Sequence, residues 1–113
     1  MNAHSYRCEK INLDDVLRGE MRADYVLLCG DVAIIVEETG RAELRDVEKV
    51  VRTKELVQRG ALGSTPSKIA GIVHGRSIDP MVSRRCLQDK IATAGCREDL
   101  ERKIRKILDI ERY

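Results

Sequence analysis

No apolar run in this 113-residue sequence approaches the roughly 20 residues needed to cross a membrane as a helix. The opening MNAHSYRCEK has no apolar core of the signal-peptide kind, so a cytoplasmic location is expected. Internal repeats and linkers are missing too, which at this length leaves one domain, 1–113, with a single core. Neither sign of charge dominates: a net charge of +2 is too small to argue for nucleic acid by itself. No CxxC occurs among the four cysteines (Cys8, Cys29, Cys86, Cys96), which argues against structural zinc. Asparagine and glutamine are scarce, two of each, and with the high charge content this leans toward a thermophilic source.

What is present describes a globular chain, with 42% hydrophobic and 35% charged residues. Arginine outnumbers lysine 14 to 7, and guanidinium is the better phosphate fork, though arginine-rich solvated faces explain the ratio equally well. The cysteines read as buried free thiols, with a disulfide as the alternative if the source is a hyperthermophile.

Turn and cap residues divide the chain. SYRCEKI (5–11) suggests a short edge strand, and NLDDVLRG a brief helix capped by Asn12 and ended by Gly19. Strands are expected at Asp24–Cys29 and Val32–Glu38. Then LRDVEKVVRTKELVQRG puts Val47, Val50, Val51 and Val57 on one helical stripe stopped by Gly60. ALGSTPS is a loop and KIAGIVHG a third apolar strand. Asp79-Pro80 opens a helix over PMVSRRCLQDKI, and a last helix, about 97–111, carries Leu100, Ile104, Ile107 and Leu108.

Two apolar runs separated by Gly30-Asp31 predict a two-residue hairpin with Gly30 at positive φ. In that register paired positions sum to 61, so Asp24 meets Glu37 with β-carbons roughly 4.5–5.5 Å apart, where like charges repel. A divalent cation would compensate, since carboxylate oxygens are what Mg²⁺ takes. So would a nearby arginine, Arg22 or Arg41. Both runs are apolar on both faces, as in strands covered by helices on two sides.

Asp24, thirteen positions before Glu37, with an apolar hairpin between them and then a helix and another apolar strand, resembles the PD-(D/E)xK nuclease superfamily. The nearest likeness is to its archaeal Holliday-junction-resolvase branch, over about residues 23–77. The resemblance implies an α/β, restriction-endonuclease-like mixed sheet: an antiparallel hairpin plus a parallel strand reached through a crossover helix, flanked by helices. It implies Asp24 and Glu37 as ligands of Mg²⁺ (or Mn²⁺), with the carbonyl of Glu38 a candidate third. DNA, branched DNA included, is the implied partner, and a homodimer the implied assembly.

The chain departs from the pattern in three places. Thr39 stands where the family carries its lysine, on the same strand face as Glu37. A neutral threonine brings no positive charge to a phosphoryl transition state. Ala23 replaces the preferred proline, and the 23 residues before Asp24 are too few for the acidic N-terminal helix, for which Glu9 or Glu20 would have to stand in.

Lys49, on the following helix, is a candidate replacement for the lysine, the alternative being a pair with Glu48 or solvent. His74 at the end of the third strand invites a general-base role or a simple hydrogen bond. Arg76, Arg84 and Arg85 could contact phosphates or form a solvated helix start. The expected function is a nuclease-like, nucleic-acid-binding domain of weak or lost activity; if active, a Mg²⁺-dependent DNA endonuclease. The alternative is a non-catalytic assembly subunit on the same scaffold.

Overall fold

Gly30 adopts φ 62° while Asp31 stays out of the positive region, the pattern of a II′ turn, and it fixes the central hairpin. The computed structural model describes residues 7–19 and 21–108. Strand β2 (Tyr25–Cys29) pairs antiparallel with β3 (Val32–Ala42) in the expected register, from Cys29↔Val32 to Tyr25↔Val36. Helix α1 (Leu44–Gln58) carries the chain back, and β4 (Lys68–Ile78) lies parallel to β3, starting from Val32↔Lys68. Helix α2 (Pro80–Gln88) follows Asp79-Pro80 as expected, and α3 (Arg97–Leu108) closes the described chain.

Two short strands complete a five-stranded mixed sheet of order β1-β2-β3-β4-β5. Strand β1 (Glu9–Asn12) pairs antiparallel with β2; it overlaps the edge strand expected at 5–11, whose first two residues lie outside the described ones, and runs one residue further. The brief helix shrinks to a single 3-10 turn, Leu13–Asp15, with Asn12 accepting from the Asp14 N–H at 3.2 Å. Strand β5 (Ile91–Ala94), parallel to β4, has no counterpart in the sequence reading, which ran the α2 helix through to Ile91. The reversal between α2 and β5 is made by Lys90 at φ 59°, where no glycine marks the turn.

The sheet separates two cores. On one side Ala33, Ile35 and Val73 pack against Val47, Val50 and Val57 of α1 and against Val82 and Cys86 of α2. On the other Ile34, Val36 and Ile72 meet Leu100 and Ile104 of α3. Each fully buried valine contributes roughly 1.5–3 kcal/mol. Val51, expected on the α1 stripe, is only partly buried at its margin. Gly71 lets α1 come close, since a Cβ there would collide with Val50 Cγ1. Alternation along β3 therefore sends Glu37 toward α1 and Glu38 toward α3.

Cys8 and Cys29 form a disulfide with Cα atoms 4.2 Å apart, one pair beyond Glu9↔Leu28 in the β1–β2 ladder. This corrects the expectation of free thiols for these two. A spacing of 21 residues carries no information until β1 is known to pair with β2. Cys86 is a buried free thiol and Cys96 an exposed one. Closing a loop of this length stabilises by about 3 kcal/mol in the chain-entropy account. Melting with and without reductant should therefore differ by more than about 10 °C, and a Cys8→Ser variant should melt like the reduced protein. Equal melting temperatures would show that the bond contributes nothing.

Candidate acidic site at the end of the hairpin

The ladder between β2 and β3 stops at Tyr25↔Val36, one pair short of Asp24 and Glu37. Instead of facing Glu37, Asp24 donates its N–H to the Val36 carbonyl at 3.1 Å, and its Oδ2 accepts the Glu38 N–H at 2.7 Å. The carboxylate thus caps the backbone of β3 where no β2 residue remains to do so. Ala23 is held by a hydrogen bond to Thr53 Oγ1 at 2.9 Å, which ties the entry of β2 to α1. Thr53 in turn donates to the Lys49 carbonyl at 2.7 Å.

Glu37 is 2% exposed, a carboxylate inside the layer between β3 and α1. Its Oε2 lies 3.3 Å from Lys49 Nζ, while Oε1 is buried with no hydrogen-bond partner. Burial, then the nearby Asp24 charge, then Asp46 push its pKa up to about 8, against the pull of Lys49. Asp46 is itself buried and accepts the Glu43 N–H at 2.8 Å at the start of α1. It can take a hydrogen bond from Glu37 only when Glu37 is protonated, so it opposes ionisation.

Lys49, its side chain still 24% exposed, therefore pairs with Glu37 and not with Glu48, and it brings positive charge to the side of the sheet where Thr39 brings none. Thr39 is half-buried and donates to the Arg41 carbonyl at 3.3 Å. The bland compensation by arginine is not used. Arg22 bonds to Asp14, and the side chain of Arg41 is exposed. The polar stripe Asp46–Lys49–Thr53, one turn apart along α1, was only one-third legible in the sequence. Asp46 has a signal, an acid three residues after Glu43 at a helix start; Thr53 has none beyond its spacing.

The remaining candidates divide between the faces. The side chain of Glu38 lies on the α3 side, where Tyr25 Oη donates to its Oε2 at 3.1 Å and His74 Nδ1 stands 3.3 Å away. His74 is thus a strand-pair neighbour of Glu38, remote from the Glu37 side of the sheet. Arg76 is exposed and passes beside Gly40; Arg84 is exposed on α2; Arg85 is turned to Asp89 at 2.8 Å. Glu9 is exposed in β1, and Glu20 lies outside the described residues. Among the described residues no group of three or more histidine, cysteine, aspartate or glutamate side chains is arranged to hold a metal. The oxygens available to a divalent ion are those of Asp24 and Glu37, the second with one oxygen unpartnered. Two carboxylates suit an ion that keeps most of its waters. Among the described residues no helix is long and apolar enough to cross a membrane. The sequence matches no protein-family model and no curated protein, and the fold matches no solved structure.

Proposed function

We propose that this chain is a nuclease-like nucleic-acid-binding domain in which Asp24 and Glu37 hold a Mg²⁺ or Mn²⁺ ion, with hydrolysis slow or absent. The observation that carries this reading is the buried Glu37 beside Lys49, with one carboxylate oxygen left unpartnered and the Asp24 charge close by. A buried acid without full partners is costly to a purely structural core, and a cation would satisfy it. The sheet order, with a hairpin followed by parallel strands, is the arrangement that the PD-(D/E)xK resemblance implies. That resemblance also supplies DNA, branched forms included, and a homodimer as the working expectations.

Exposed Arg76 and Arg84 supply phosphate contacts in this reading, and Arg85 joins them by leaving Asp89. Three such contacts make the affinity fall about 40-fold between 50 and 200 mM salt, through counterion release. Fluorescence anisotropy with duplex and four-way-junction DNA reads this directly. Because Lys49 already neutralises part of the cluster, a second reading stands beside it: an assembly subunit with no nucleic-acid partner. An absence of binding to either DNA at low salt removes the first reading and leaves the second.

A further inference from the structure

On the α3 side of the sheet, remote from Glu37, lies a cavity of about 280 Å³. Its polar wall comprises Lys10, Tyr25, Glu38, His74, Arg97 and Glu101. Its floor is apolar: Leu27, Leu100 and Ile104. One of the two acids on the wall is already engaged, since Glu38 Oε2 accepts from Tyr25 and lies 3.3 Å from His74 Nδ1. Burial and the Glu38 carboxylate push the Tyr25 phenol well above its usual range, so it stays a donor. Lys10 Nζ stands 4.3 Å over the centre of the Tyr25 ring, and among the described residues neither Lys10 nor Arg97 forms an ion pair.

Two cations of different shape, neither of them ion-paired among the described residues, over an apolar floor, suit a ligand with an anionic head and a small apolar body. Guanidinium takes carboxylate or phosphate with two parallel hydrogen bonds, and the ammonium adds a point charge. The volume is at the lower end for a small-molecule pocket, enough for a single ring and too small for a duplex. We propose that this cavity binds a small organic anion, a carboxylate or a phosphate monoester, whose head is held by Lys10 and Arg97 and whose body rests on Leu27 and Ile104. It is a second site, on the face of the sheet opposite Glu37.

Amide NMR titration with phenyl phosphate and with benzoate tests it, with benzyl alcohol as the neutral control and inorganic phosphate as the bodiless one. The expected result is saturable shifts at Lys10, Tyr25, Glu38 and Arg97 with at least one of the two ring anions. That anion binds more tightly than either control. A Lys10→Met/Arg97→Gln variant, altered only at exposed side chains, weakens its binding about tenfold or more. Glu37→Gln, on the opposite face of the sheet, leaves it unchanged, so failure here and failure of the metal reading are told apart. Saturable shifts with neither anion, equal affinity for benzyl alcohol, or undiminished binding by the double variant would overturn the proposal.

Discussion

Raising the pH from about 5 to 9 will cost this protein several kcal/mol of stability that a Glu37→Gln variant will not lose. Glu37 starts from an ordinary value of 4.5 and is held at about 8 in the fold, so the native state binds its proton more tightly than the unfolded chain does. A raised carboxylate stabilises fully below the unfolded pKa. Its contribution is lost as the pH climbs through the folded one, here between about 4.5 and 8. At roughly 1.4 kcal/mol for each unit, the loss is on the order of 3–5 kcal/mol for a side chain this deeply buried. The physical cause is that ionisation strands a charge with one salt-bridge partner and two acidic neighbours. Denaturant melts of both proteins across this range supply the difference curve. A wild-type profile parallel to that of Glu37→Gln would mean that Lys49 compensates the carboxylate fully. Mg²⁺ or Mn²⁺ should shrink the wild-type loss, because an ion bound only by the folded state adds its binding energy to stability.

Thr39→Lys will raise Mg²⁺-dependent cleavage of DNA by about 10²–10³-fold over a wild type that cuts slowly or not at all. This is the usual worth of one well-placed electrostatic donor, about 3–4 kcal/mol of barrier. The half-buried Thr39 alternates with Glu37 along β3, so a lysine there is delivered to the side of the sheet that holds the acids. Adding Asp24→Ala should abolish the gain. Lys49 gives the counter-case: its ammonium stands 3.3 Å from Glu37 Oε2 and could already do the work of the missing lysine. A brisk wild-type nuclease that is silenced by Lys49→Ala would establish that substitution. A silent Thr39→Lys would show that more than one charge is missing and leave a binding module.

Much of this architecture was legible because punctuation and periodicity agreed. Gly30-Asp31 fixed the hairpin and its register, Gly60 and Asp79-Pro80 bounded α1 and α2, and the valine stripe of α1 identified its buried face. What escaped was what the chain assembles at a distance. β5 hides in four residues behind Lys90, which turns the chain without a glycine. The Cys8–Cys29 bond depends on an edge strand too short to identify its partner from pattern alone. At the site, Asp24 and Glu37 were legible as a pair of like charges, but their compensation was not. The backbone N–H of Glu38 meets Asp24 and the Lys49 ammonium meets Glu37, where Arg22 and Arg41 lie close in sequence but turn elsewhere. Asp46, a residue that helix rules assign to capping, also favours the protonated form of Glu37.

The claim on which the rest depends is that Asp24 and Glu37 together take a divalent ion. Calorimetric titration with Mn²⁺ at pH 7, repeated in two buffers of different ionisation heat, tests it most directly. With its pKa near 8, Glu37 is mostly protonated at that pH and must give up its proton to become a ligand. Wild type should therefore bind one ion and release close to one proton, about 0.9 from that pKa. Glu37→Ala should bind at least about tenfold more weakly, the usual effect of deleting one charged partner, and release none. No binding by wild type, or binding of equal strength and equal proton release in both proteins, would contradict the account.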